Sequence, residues 1–244
     1  MNEFIVAYIC ENNNDLFFRM SLDSTLGFAD KWVIIDGGST DGTIEMVNGW
    51  AKENNLVDDV TIISKSYKHD FKGADGNQRN QYLKFVADED WILVLDTDEL
   101  LSDNGILLKD YALREDFDVF DIQMVHFIYS LGLVDSTLDK HFVNRRFFKK
   151  KNGLCYDEVE HPILKTNSSI GKVDDVIIWH LGYVRHLIGI LRKYDNNLQK
   201  SNIHNKDFLK MWKDTHLMGT YPVKPLSNDL FDILPWGLKN EIKK

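Results

Sequence analysis

The run Trp91-Ile92-Leu93-Val94-Leu95, followed at once by Asp96-Thr97-Asp98-Glu99, constrains this chain more than any other stretch. Five consecutive apolar residues predict a strand covered on both faces, the condition of a parallel sheet packed between helices. The chain before it has the matching rhythm. Strands are predicted at Phe4 to Ile9, Trp32 to Ile35 and Val60 to Ile63, with Trp91 to Leu95 as the fourth. Amphipathic stretches separate them: Asp15 to Leu26, a helix opened by Asp41 or Thr43 with Ile44, Val47 and Ala51 on one face, and Gln78 to Ala87. This βαβαβαβ order implies an α/β fold with a mostly parallel, twisted sheet flanked by helices. In such sheets ligands sit outside the carboxyl ends of the strands, where both Asp36 to Asp41 and Asp96 to Glu99 fall.

After residue 100 the pattern changes. Asp118 to Tyr129, Phe142 to Phe148 and Val176 to Trp179 read as strands without full helices between them, which implies antiparallel additions. Arg185 to Gln199 and Lys206 to Trp212 read as helices of a C-terminal extension, and the tail from Tyr221, with Pro222, Pro225 and Pro235, as an irregular wrap.

Composition removes several function classes. Acidic residues outnumber basic ones, 38 to 29, and the net charge of −9 is the wrong sign for a non-specific nucleic-acid binder or a coat on anionic membranes. The two cysteines, Cys10 and Cys155, stand far apart, which excludes a disulfide scaffold and a zinc knuckle. The N-terminus has no basic segment and no long apolar one, so no signal peptide is predicted. The longest apolar runs reach about a quarter of a bilayer-spanning helix, so the expectation is a soluble, cytoplasmic protein.

Two carboxylates two residues apart at a strand mouth repel each other unless a cation lies close. A hard divalent ion with oxygen ligands suits Asp96 and Asp98, and it would bridge to substrate phosphates. A solvated strand end before a helix is the alternative. A third reading is a haloacid-dehalogenase-type phosphatase with Asp96 as nucleophile. That motif begins its domain, whereas here it arrives fourth, and Asp174-Asp175 precedes its predicted strand instead of following one. The loop Asp36-Gly37-Gly38-Ser39-Thr40-Asp41-Gly42-Thr43 is either a tight strand-to-helix turn or a nucleotide cradle. It lacks the dinucleotide-binding and P-loop patterns.

Taken together, Ile34 to Thr43, Gly76-Asn77-Gln78-Arg79-Asn80 and Trp91 to Leu101 resemble glycosyltransferase family 2, nucleotide-sugar transferases with the GT-A fold. His180-Leu181-Gly182-Tyr183-Val184-Arg185 is similar to a late motif of some members. Thr97 stands where Ala is common, and Gly37 where many members have a second Asp. The resemblance implies a nucleotide-sugar-binding half over 1–101, an acceptor half over 102–184 and a packed extension over 185–244. It implies that Asp36 meets a nucleobase, uracil being expected, and that Gly38 and Asp41 shape that loop. Arg79 would open a helix and lie near the diphosphate or brace the carboxylates. Asp98 would ligate Mn2+ or Mg2+ directly. Asp96, beside Thr97, would meet the ribose or reach the metal through water.

The same resemblance implies inversion by in-line displacement, with a carboxylate deprotonating the acceptor hydroxyl, on a glycan or similar molecule. Within Tyr156-Asp157-Glu158-Val159-Glu160-His161-Pro162 the order of expectation is Glu160, then Glu158, then Asp157, against a solvated turn. His180 is either a third metal ligand or a buried structural histidine, and His161 structural or an acceptor contact. Arg145, Arg146, Lys149, Lys150 and Lys151 read as a solvated surface or an anion-facing patch, and Trp212, Tyr221 and Trp236 as tail packing or a sugar platform. A non-catalytic nucleotide-sugar-binding relative is the alternative from another class.

Overall fold

The computed structural model describes residues 2–66, 74–137, 143–157, 162–184, 213–235 and 238–239. Four parallel strands form its first half: β1 (Phe4–Cys10), β2 (Lys31–Asp36), β3 (Val60–Ser64) and β4 (Trp91–Asp96), in the order β3-β2-β1-β4. Period-two alternation sends their side chains into two cores. Val6, Tyr8, Trp32, Ile34, Leu93 and Leu95 pack with Phe18 and Leu22 of α1 (Leu16–Ser24) and with Val47 and Trp50 of α2 (Thr43–Glu53). Ile5, Ala7, Val33, Ile35, Ile92 and Val94 face Tyr82, Leu83 and Val86 at the end of α3 (Ala74–Tyr82) and just beyond it. Continuous apolar strands are the sequence expression of this double burial.

The second half extends the same sheet with mixed polarity. β5 (Glu99–Leu101) follows β4 after a two-residue turn, and β6 (Val119–Ile128) comes next. β8 (Val143–Lys149) lies between β4 and β6, antiparallel to both. β7 (Leu133–Asp135) folds back beside β6. The short hairpin of β9 (Cys155–Tyr156) and β10 (Leu164–Lys165) stands apart, and β11 (Ile170–Tyr183) pairs parallel to β6 and antiparallel to β5.

Several elements differ from their sequence expectation. The helix expected over Gln78 to Ala87 starts and ends earlier, because beyond Tyr82 the chain tightens into three-residue turns, with Lys84 N–H donating to Gln81 O and Phe85 N–H to Tyr82 O, both at 3.0 Å. Arg79 therefore sits in the last turn of α3 and does not open it. The N-cap position of α2 is Gly42, at φ +88°, and not Asp41 or Thr43; the Asp41 carboxylate accepts the Thr43 N–H from one step further back. β11 is 14 residues long and absorbs Asp174 and Asp175 in a register shift between Val173 and Ile177. The tail is more ordered than its prolines suggest. β12 (Val223–Pro225) pairs with β7, a short helix spans Asn228–Asp232, and Leu234 and Leu238 are buried against Trp179 and Phe127. The helices expected over 185–199 and 206–212, with Trp212 and Trp236, lie outside the described residues. Among the described residues no helix is long and apolar enough to cross a membrane.

Candidate active site

The parallel register sets Cys10 beside Asp36 and Ile9 beside Asp96, so the last residues of β1, β2 and β4 share one edge. Beyond β2 the chain turns on Gly38, at φ +110°, a conformation that strains a residue with a Cβ. Asp36, buried, accepts the N–H of Gly38 at 3.2 Å and of Ser39 at 3.0 Å. Asn12 ties the loop to β1 by donating its N–H to Ser39 Oγ and accepting the Thr40 N–H, at 2.9 and 2.8 Å. Asp41 accepts the Asn14 N–H at 3.0 Å. The loop is thus a backbone-lined cradle held open by carboxylates and an amide.

Asp96 lies between two arginines. Its Oδ1 accepts from Nη2 of Arg79 at 2.6 Å and its Oδ2 from Nη2 of Arg146 at 3.0 Å. The same Arg146 nitrogen donates to Oε1 of Glu99 at 2.6 Å, and Glu99 Oε2 accepts the Asp96 N–H at 2.9 Å. Burial works against the Asp96 charge, but Arg79 and Arg146 outweigh it and hold the carboxyl far below the usual range. Glu99 fares oppositely. Burial pushes it up to about 8 against the pull of Arg146, and the neighbouring charges of Asp96 and Asp98 push the same way. One arginine shared between two carboxylates cannot serve both equally.

In the sequence Arg146 reads as one of five basic residues of a solvated surface or an anion-facing patch. The structure brings it to the site, half-buried, beside a β-bulge. Phe147 of β8 pairs with Phe120 of β6 and Arg145 with Asp121, so Arg146 is the extra residue. Glu99 and His126 were also missed. The bulge has no local sequence signature. The alternation of Arg146 with Phe148 along β8 was the available hint that Arg146 faces inward.

Asp98 and His180 come together, with His180 Nε2 3.7 Å from Asp98 Oδ1. The approach follows from pairing: β11 sets His180 opposite Glu99 of β5, and the Asp98 carbonyl accepts the Leu181 N–H at 2.8 Å. On its other side Nδ1 of His180 is 2.8 Å from Nδ1 of His126. Thr97 is buried between the two acids in sequence. Among the described residues no group of three or more His, Cys, Asp and Glu side chains converges on one point. A carboxylate with an imidazole is nevertheless a donor pair suited to a transition ion such as Mn2+ when substrate oxygens complete the shell, and Mg2+ would take the carboxylate alone. Both Asp96 oxygens, by contrast, already face guanidiniums.

Of the expected bases, Glu160 and Glu158, with His161, lie outside the described residues. Asp157 lies inside them, and its carboxylate accepts the Ile163 N–H at 2.8 Å across the mouth of the β9–β10 loop. Asn80 latches this hairpin to α3, donating to Tyr156 O at 3.0 Å and accepting the Tyr156 N–H at 2.7 Å. The loop is therefore anchored one residue from Arg79. Tyr221 packs on His216, with ring centroids 4.2 Å apart, and donates to Asp135 Oδ2 at 3.0 Å.

A mixed α/β sheet with a polar loop after β2 and paired acids after β4 is the GT-A fold. The sequence pattern described as glycosyl transferase family 2 matches residues 13–166, and the chain belongs to that family. Comparison with curated proteins gives no match. Among solved structures, S. aureus TarS 1-349 in complex with UDP is 17% identical with a TM-score of 0.52, over 89% of this chain and 70% of that one. The chain spans 42% of the longer TarS chain. The mannosyltransferase PcManGT from Pyrobaculum calidifontis, in complex with GDP-Man and Mn2+, is 14% identical with a TM-score of 0.55, over 99% and 73%. At these identities the likeness is one of fold.

Proposed function

We propose that this glycosyltransferase moves a sugar from a nucleotide diphosphate sugar, with UDP as the expected carrier, to a hydroxyl acceptor such as a glycan, with inversion. The observation that carries the reading is the approach of His180 to Asp98, next to the arginine-held Asp96 and on the same edge as the Asp36–Asp41 cradle. UDP in the TarS complex, and GDP-Man with Mn2+ in PcManGT, support a donor of this class.

In this reading residues 1–101 bind the donor, 102–184 the acceptor, and the extension from 185 packs on them. The Asp36 loop, with Gly38 and Asp41, receives the nucleoside. Asp96 and Thr97 line the ribose side, and Arg79, steadied by Asp96, directs positive charge toward the diphosphate. Asp98 would hold a divalent cation, Mn2+ with His180 or Mg2+ without it, which when bound neutralises the charge of a diphosphate leaving group. A carboxylate of the β9–β10 loop, Glu160 first, takes the acceptor proton as the new glycosidic bond forms and the bond to the diphosphate breaks. Approach from the face opposite the leaving group inverts the anomeric centre.

A thermal-shift panel of UDP and GDP, each with and without MnCl2, tests the donor and metal sites together. A ligand at a hundred times its dissociation constant stabilises by about 2.7 kcal/mol. UDP with Mn2+ is expected to raise the midpoint of the wild type, and Asp98→Ala to remove the Mn2+-dependent part. An Asp98→Ala protein responding to Mn2+ like the wild type contradicts the metal assignment.

A further inference from the structure

We propose that His126 is a positioning residue that sets the tautomer of His180 and thereby presents its Nε2 toward Asp98. The inference rests on the reading above, in which His180 is a metal ligand, and extends it to a residue outside every motif of the sequence.

The two histidines stand on neighbouring strands. β6 and β11 run parallel with His126 and His180 in direct register, and both side chains are buried. Their Nδ1 atoms are 2.8 Å apart, which is a hydrogen bond in which one nitrogen must carry the proton and the other must accept it. His180 Nε2 is the atom that faces Asp98, at 3.7 Å. A ring nitrogen ligates a cation through its lone pair, so Nε2 must be bare and Nδ1 must hold the proton. His180 is then the donor of the pair, His126 the acceptor at Nδ1, and the proton of neutral His126 sits on its Nε2.

Packing holds the arrangement. The rings of His126 and His180 meet edge to face with centroids 4.7 Å apart, and the Tyr183 ring lies 5.0 Å from His180 and 5.9 Å from His126. A hydrogen-bond partner on the far nitrogen of a metal-binding histidine orients the ring and raises its basicity, and its loss typically weakens metal binding about 10- to 100-fold. His126 has the distance, the register and the burial to be that partner.

The test has two readouts. In metal-free protein, long-range 1H–15N spectra of the imidazoles should show a proton on Nδ1 of His180 and none on Nδ1 of His126; a His126 that carries the Nδ1 proton overturns the proposal without any variant. The second readout is binding of Mn2+ alone, followed by the spin-resonance signal of the unbound ion. His126→Leu is expected to weaken binding about 10- to 100-fold. His126→Asn, whose amide oxygen can accept in place of Nδ1, should stay within about threefold of wild type. Wild-type affinity in a folded His126→Leu protein overturns the positioning role. Should His126→Leu not fold, a His126→Asn protein that loses the Nδ1–H tautomer of His180 overturns it equally. His180→Ala and Asp98→Ala separate the two levels. If both bind Mn2+ as the wild type does, the metal reading itself fails; if they lose binding and His126→Leu does not, only the present inference fails.

Discussion

Arg146 and Asp96 meet 3.0 Å apart although 50 residues separate them, because β8 pairs with β4 so that Arg146 shares the face of Phe148 and Ile92, which is also the face of Asp96. Glu99 receives the same guanidinium nitrogen. Arg146→Met removes charge-assisted hydrogen bonds to Glu99 and to Asp96, but Asp96 is about a third exposed and keeps Arg79, so the fold is expected to lose about 1.5–3 kcal/mol in urea unfolding. Glu99→Gln in the same background should change stability little, because burial already holds the Glu99 carboxyl up at about 8 beside Arg146 and keeps it protonated once the guanidinium is gone. Two effects that simply add would show that the residues are not coupled.

Asp41 links the cradle to acid stability. Partial burial draws its carboxyl up, but the Thr43 hydroxyl and the N–H groups of Asn14 and Thr43 outweigh this and hold it below the usual carboxylate range. A depressed folded-state value adds stability that is complete above the unfolded pKa, about 3.9, and is lost as pH falls through the folded value. The stability gap between wild type and Asp41→Asn should be full at pH 6 and shrink below about pH 4. Urea midpoints across that range measure it, and a constant gap refutes the linkage.

The two cysteines should differ in reactivity. Burial, followed by the charge of Asp36, pushes the Cys10 thiol up to about 12, whereas Cys155 is exposed. Thiolate is the reactive form, so a disulfide reagent at pH 8 should titrate one thiol in the folded protein and two after denaturation. Replacing Cys155 by Ser should abolish the fast phase. Rapid modification of Cys10 in the native protein would contradict its burial.

The base proposed between β9 and β10 is open to an alanine scan. Glu160→Ala should lower turnover by about 10²- to 10⁴-fold with little change in donor affinity. Asp157→Ala should act mainly on loop anchoring, because its carboxylate already accepts the Ile163 N–H. If none of Asp157, Glu158 and Glu160 lowers turnover by about 10²-fold, the base lies elsewhere.

Much of the first hundred residues was legible in the linear pattern. Apolar runs bounded by Gly and Asp marked the four parallel strands, and their polar ends marked the site edge, because a doubly covered strand must be apolar throughout and its first polar residue falls at the mouth. Family motifs supplied Asp36, Arg79, Asp96 and Asp98 for the same reason: each lies within a few residues of a strand or helix end. β5 was invisible, since three residues carry no period, and the prolines of the tail hid β12.

Sequence by itself thus determined the parallel half-sheet and the family, both written in short-range periodicity and contiguous motifs. Tertiary structure alone decided which charges meet. Arg146 leaves its basic neighbours for Asp96 because of the register of β8 against β4, and His126 reaches His180 because two strands whose paired residues are 54 apart in the chain run in parallel. Pairing register is a sum over long-range contacts, and no local window of residues carries that sum.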